Sequence, residues 1–460
     1  MPPGVAAGHP ATARAGLEAL EDGGSAADAA IAACFASCVC EVVMTGLLGG
    51  GHGMIWDAAQ GRARQLDFFT SVPGLGAGAH RRPQLVEMDV PFGEELIRYE
   101  IGPESCAVPG IPAGLYELWR SYGRLDWPRL LAPAIRLSRE GVSMPPAHAA
   151  CLEMLAPVLT LDRGERLFAP RGRLLGTGEL LVQPGIADAL ELLAEDPHSF
   201  YSGTLAQTLL ELMSERGGLV TSGDLTTYSP LWCEPVETAY AGTRFLTRGG
   251  LSGVPEALAR LVPLAGLSAR ERVHALVAAL DGNGAGSHTT NLVTVDEEGN
   301  ACVLTTSLGL GSGDYLPGFD LHLNSMLGEK DLVEGELVPG ERVLSMTAPS
   351  IAIDEHGPAL AIGAAGGTRL RSALVQASSG ILDEGLAPAE AIERPRLHPA
   401  GAVLNAEPGV DEKALDELET NGWQVRRWSS LHHYFGGVSA IGREGAAGDP
   451  RRSGEGLLLG

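Results

Sequence analysis

Residues 289–313 read TTNLVTVDEEGNACVLTTSLGLGSG. β-Branched and apolar residues fill both flanks and EEGN supplies turn residues, so the stretch predicts a strand, a tight turn and a second strand. With the turn centred near Glu298, Thr289, the first residue of its strand, falls opposite Ser307 to within about one residue. Hydroxyl pairs are common in sheets, and the pairing alone assigns no chemistry. The segment in front of it, DGNGAGSH at 281–288, adds to the reading: Gly-rich backbone runs straight into a strand-initiating Thr and is also the clearest boundary in the chain. Cleavage between His288 and Thr289 would free an α-amine with a reference pKa of about 7.7–8.0, able to take the hydroxyl proton near neutral pH without a His or Asp partner.

Outward from this hairpin, residues 9–40 predict two helices. The first ends on Gly23 and Gly24, and Ser25 caps the second, which is apolar nearly all round and should be buried. A Gly-rich loop, GLLGGGHG at 46–53, leads into a hairpin of Gly53–Asp57 and Ala63–Phe68; it lacks the Lys and Ser/Thr of a phosphate loop. Helices follow from Cys106 to Met144, with Pro112 and Pro128 near their starts, then at Ile186–Glu195, Leu205–Glu215 and in RERVHALVAAL. Strands return at Ser350–Asp354 and Ala359–Gly363, and GAAGGTRLRSALVQASSGIL runs from a strand end through a Gly-rich loop into a helix. Helices, then strands, then helices favour one layered domain over separate modules.

Composition narrows the function classes. The 460 residues hold 33 Lys+Arg against 57 Asp+Glu, a net charge of -24 that repels nucleic acid and anionic lipid. The longest uncharged apolar run, Ala29–Cys40, is too short to span a bilayer. No basic region precedes an apolar stretch at the N-terminus, so the expected compartment is the cytoplasm. Seven cysteines with no interleaved His suggest neither a disulfide framework nor a zinc site, and no metal or organic cofactor is expected. His432 and His433, read as strand neighbours pointing to opposite faces, are assigned a structural role. His9, His52 and His322 are isolated in the sequence.

HPATARAGLEALEDGGSAADAAIAA, VPGIPAGLYELWRSYGRLDWPRLLAPAIRLSREG, LSMTAPSIAI, GAAGGTRLRSA and the terminal GDPR occur in an order that resembles the γ-glutamyltranspeptidases, N-terminal nucleophile hydrolases. The resemblance covers nearly the whole chain. It implies an α+β fold, a four-layer αββα sandwich, made by self-cleavage before Thr289 into a large fragment 1–288 and a small fragment 289–460. It implies further that Thr289 is the nucleophile, first attacking the His288 carbonyl and later the substrate carbonyl. Ser307 would hydrogen-bond the nucleophile, and the Gly366 and Gly367 N–H groups would form the oxyanion hole, worth about 3 kcal/mol per donor. The two fragments would bind a small-molecule substrate as a heterodimer or a pair of heterodimers.

The departures bear on the substrate. Ser345 matches one of two adjacent serines that hold a substrate carboxylate, but the second is Met346. Phe69 stands where the family places an Arg for that carboxylate, exchanging a bidentate cation for a ring. Gly309 replaces an Asn, with a two-residue gap after it. Asn291 replaces a His, and Glu329 aligns loosely with the acid that binds the substrate amine, although a solvated loop charge fits equally well. Three readings follow: an autoprocessed Thr hydrolase or acyltransferase acting through an acyl-enzyme; the same site acting on a substrate without a γ-glutamyl head group, including hydrolysis of a carbon–carbon bond next to a carbonyl as in alkylproline biosynthesis; and an unprocessed pseudoenzyme that binds a small acid.

Overall fold

The computed structural model describes residues 1–76, 83–92, 95–280, 289–333 and 335–460. The hairpin is formed by Thr290–Val295 and Ala301–Ser307, with Thr290 paired to Thr306 and Asn291 to Thr305. Continued one residue outward, this register sets Thr289 against Ser307, as expected. The strand itself starts one residue later than expected, at Thr290.

Thirteen strands of the two main sheets, numbered in chain order, are β1 (Gly4–Ala7), β2 (Gly50–Asp57), β3 (Arg62–Phe68), β4 (Leu231–Cys233), β5 (Val236–Tyr240), β6 (Thr243–Thr247), β7 (Thr290–Val295), β8 (Ala301–Ser307), β9 (Ser350–Asp354), β10 (Gly357–Ala365), β11 (Gly437–Gly442), β12 (Gly445–Gly448) and β13 (Glu455–Leu458). One sheet runs β13-β1-β7-β8-β2-β3-β4 and the other β12-β11-β10-β9-β6-β5. Residues from both sides of the 288/289 boundary enter each sheet, so the two segments share one core.

Period-two alternation assigns the layers. Val293, Val295 and Val303 from the first sheet meet Ile351, Ile353 and Ile441 from the second in the core between the sheets. Leu292, Cys302 and Leu304 point the other way and pack on Ile31, Phe35 and neighbouring helices. On the far face of the second sheet, Leu360, Ile362 and Ala364 pack on Leu276, Leu374 and Leu415. Helix, sheet, sheet, helix is the four-layer αββα sandwich. The helix Ala26–Cys40 is buried along its whole length, and Ser25 and Asp28 close its start as a capping box.

The Gly-rich segment before β2 is a close-packing device. A Cβ on Gly49 would sit 2.1 Å from the Ser307 carbonyl oxygen, and one on Gly51 2.7 Å from that of Thr305. Other details depart from expectation. A hairpin of Val86–Phe92 and Glu95–Ile101 is present where the sequence offered no reading. His432 and His433 are not on a strand: His432 caps a short 3₁₀ turn, His433–Phe435, and the two ring centroids lie 4.0 Å apart. Six cysteines are buried, while Cys233 is half-buried on the edge strand β4. Among the described residues no helix is long and apolar enough to cross a membrane, and no group of three or more His, Cys, Asp or Glu is placed to hold a metal ion.

The GDPR segment closes the fold electrostatically. Asp449 pairs with Arg396 at 2.6 Å and Arg451 at 3.2 Å, and Arg451 grips Glu407 through Nε at 2.7 Å and Nη2 at 2.5 Å. All four groups are buried. Removing one partner from such a group strands a charge in the interior. Glu407→Ala is therefore expected to lower unfolding stability by about 3–5 kcal/mol, read from urea denaturation.

Candidate active site

Both hydroxyls of the hairpin mouth are buried: Thr289 and Ser307 are each 1% exposed. Alternation from Val293 and Asn291 puts Thr289 on the face of β7 that looks into the gap between the sheets, and Thr290 on the helical side. Asn291 crosses the gap. Its Nδ2 donates to the Gly437 carbonyl at 3.0 Å, and its Oδ1 accepts from the Ser439 N–H at 2.9 Å. An amide both donates and accepts, so Asn occupies the position of the expected His with two bonds to the second sheet.

Gly437 pairs with Ala365 at the end of β10, and Gly366 and Gly367 follow before the helix Arg369–Leu382. Both have positive φ, +127° and +60°, and a Cβ on Gly366 would meet Gly436 Cα at 2.8 Å. Glycine is thus required here by conformation and by close approach. Thr289, Ala365 and Gly437 line one narrow cavity, which brings the start of β7 and the root of the glycine loop together. His288 lies outside the described residues, so the bond expected to be cut is not described.

Ser307 Oγ accepts from the Gly309 N–H at 3.1 Å. Gly309 has φ +68°, and a Cβ there would fall 2.6 Å from Ser325 Oγ and 2.9 Å from Glu329 Oε1. The loss of a side chain at 309 and the closeness of Glu329 belong together. Glu329 is 2% exposed, so the solvated-loop reading is wrong. Its carboxylate oxygens accept no hydrogen bond among the described residues. Burial pushes its pKa well up, Asp331 adds to this, and Arg369, just after the glycine loop, pulls it back.

Phe69 and Met346 are brought together with Met326, Leu327 and Val343 in one apolar cluster. The Phe69 ring stacks on His52, centroids 5.2 Å apart. His52 lies opposite Thr305 on β8, and its Nδ1 is 2.7 Å from Thr347 Oγ1. Ser345 is buried with its hydroxyl turned to Thr347 Oγ1 at 3.1 Å, while its carbonyl accepts from Arg248 at 2.7 Å. Burial pushes His52 down to about 4, so it is neutral near pH 7. Asp67, despite its burial, is held below the usual carboxylate range by His52, the Phe69 N–H and Arg342.

Sequence reasoning set His52 aside as isolated and passed over Thr347, Arg248 and Glu41. Glu41 is the buried acid at the end of the apolar helix Ala26–Cys40, and it accepts from Thr12 at 2.8 Å and from Thr290. A carboxylate closing the uncharged run Ala29–Cys40 was the available signal. The isolated histidine of β2 gave none, because the hydroxyl it meets, Thr347 Oγ1, lies 295 residues further along the chain.

The sequence matches the family described as Gamma-glutamyltranspeptidase over residues 12–281 and 268–459. It is 28% identical over 509 residues to the Acylase ACY 1 proenzyme of Pseudomonas sp. (strain V22), covering 95% of this chain and 89% of that one. To the Glutathione hydrolase proenzyme of Bacillus subtilis (strain 168) it is 25% identical over 540 residues, covering 96% and 90%. Of solved structures, the cephalosporin acylase from Bacillus halodurans superposes with a TM-score of 0.85 at 25% identity, covering 100% of this chain and 96% of that one.

The buried Glu329 yields a stability test. Its folded pKa lies above the unfolded value of about 4.3, so the native state keeps a proton that the unfolded chain releases. Stability therefore falls as pH rises above that unfolded value. Glu329→Gln is expected to melt above wild type at pH 8 and together with it at pH 4, measured by thermal unfolding.

Proposed function

The chain belongs to the gamma-glutamyltranspeptidase family and is a hydrolase or acyltransferase of the N-terminal nucleophile type; on that footing we propose that it is an autoprocessed acylase whose nucleophile is Thr289. The observation that carries the reading is the buried Thr289 at the mouth of the inter-sheet gap, in register with Ser307 and sharing a cavity with the residue that leads into Gly366 and Gly367. Self-cleavage would divide the chain into 1–288 and 289–460, a heterodimer from one precursor, in keeping with relatives named proenzymes. The freed amine takes the Thr289 hydroxyl proton, the hydroxyl attacks the substrate carbonyl, and the glycine N–H groups hold the oxyanion. The adduct collapses with cleavage of the amide C–N bond, the leaving amine takes the proton back from the Thr289 ammonium, and water or another amine then releases the acyl group from the Thr289 ester.

The acyl group differs from γ-glutamyl. Phe69 and Met346 build an apolar wall with Met326 and Leu327 where the family resemblance places a carboxylate anchor. The likeness to an acylase and a cephalosporin acylase supports an amide substrate whose acyl end bears no carboxylate at that wall. Ser345 and Glu329 remain as its polar neighbours.

Two outcomes check this reading. Mass spectrometry of the wild type is expected to give fragments of 288 and 172 residues, and Thr289→Ala a single inactive chain; efficient cleavage of Thr289→Ala would sink the mechanism. Among chromogenic anilides, an uncharged alkanoyl anilide is expected to show at least roughly tenfold higher kcat/KM than the γ-glutamyl anilide, the scale of about 1.4 kcal/mol in the transition state. The reverse order would return the chain to γ-glutamyl chemistry.

A further inference from the structure

Glu41 sits behind the nucleophile, on the helical side of β7. Its Oε1 accepts from Thr12 and its Oε2 from Thr290, the residue next to Thr289. The approach is possible because residue 8 lacks a side chain: a Cβ on Gly8 would lie 2.5 Å from Oε2 and 3.1 Å from Thr290 Oγ1. Pairing between β1 and β7 ends at Ala7 and Leu292. Beyond that point no strand among the described residues pairs with the start of β7 on this side, and Glu41, Thr289, Thr290, His148, Asp449 and Arg452 line a cavity of about 10 Å³. Glu41 holds the free end of β7 in place of a strand.

We propose that Glu41 is a positioning residue whose carboxylate clamps Thr290, so setting the place of Thr289 at the gap, and whose protonation loosens that clamp. The proposal rests on Thr289 being the nucleophile. An ionised carboxylate accepts from both threonines at once. A protonated one turns one oxygen into a donor, and one threonine must reverse its bond.

Burial pushes Glu41 up to about 7, with Thr290, Thr12 and Arg452 pulling the other way. The other groups facing it do not change charge between pH 5 and 8. His148 is driven down to about 3 by burial. On Glu41's own helix, the Cys38 and Cys40 thiols are raised, Cys38 first through its hydrogen bond with Cys34 and Cys40 by burial. Asp449, despite burial, is held low by Arg396 and Arg451. Arg452 stays a guanidinium.

Self-cleavage separates this effect from that of the Thr289 α-amine, which does not exist until the bond is cut. Full-length chain from cell-free translation, shifted into buffers from pH 5.5 to 8.5 and followed on denaturing gels, is expected to cleave faster as pH rises, with a midpoint near 7. Glu41→Gln donates one bond and accepts one at every pH. It should lose that limb and stay at the acid-side rate of the wild type, roughly tenfold below its rate at pH 8. Thr290→Val, which keeps Glu41 but removes the clamped hydroxyl, should also lose the limb, and Thr290→Ser should keep it. A role in stability alone would slow Glu41→Gln equally at all pH values and leave the limb intact. That result, or a wild-type rate independent of pH, overturns the proposal, and the two Thr290 variants decide if Glu41→Gln does not fold. Wild-type chain that never cleaves at Thr289 overturns the nucleophile assignment instead.

Discussion

The bonds from Asn291 to the Gly437 carbonyl and the Ser439 N–H set the distance between the two sheets at the functional end of the sandwich. Elsewhere apolar side chains fill the gap, and their contact tolerates small slides. A hydrogen bond does not, because each buried group left unpaired costs about 1–3 kcal/mol. Asn291 therefore couples the strand that begins at Thr290 to the strand beside the glycine loop. The proposed nucleophile, Thr289, and the proposed oxyanion donors, Gly366 and Gly367, come from different sheets, and the Asn291 amide ties the two sheets together beside them.

Around that joint the protein treats buried charge in three ways. Asp449, Glu407, Arg396 and Arg451 neutralise one another, and the group acts as a fastening. Glu41 is satisfied by two threonines and sits near its titration point. Glu329 accepts no hydrogen bond among the described residues and carries a raised pKa beside Gly309. Buried acids left in this state are common where a ligand completes the environment. Asp449 of the fastening and Glu41 line one cavity with Thr289, and Glu329 lies beside Gly309.

On the proposed reading, Phe69 and Met346 change the substrate of the site without changing its chemistry. Both lie on segments that reach the site from outside β7 and β8, and both join the same apolar cluster. The His52 ring beneath Phe69 is neutral near pH 7 and linked through Thr347 to Ser345. On that reading an apolar wall with a buried polar backing stands where the resemblance implies a polar anchor, and the proposed catalytic frame is kept.

Local pattern made much of this visible in advance. Alternating β-branched residues around EEGN fix the hairpin and the opposition of Thr289 and Ser307, since a slip of one residue would turn every side chain to the wrong face. Ser25 with Asp28 and the following apolar run fix a capped, buried helix. The Gly366–Gly367 junction, the strand Ser350–Asp354 and the segments that carry the family resemblance are likewise properties of short stretches. What the sequence did not decide depends on contacts between segments far apart in the chain. The burial of Glu329 and the clamp from Glu41 to Thr290 arise this way. A carboxylate's environment is set by whatever packs around it, and only the tertiary structure brings those neighbours together.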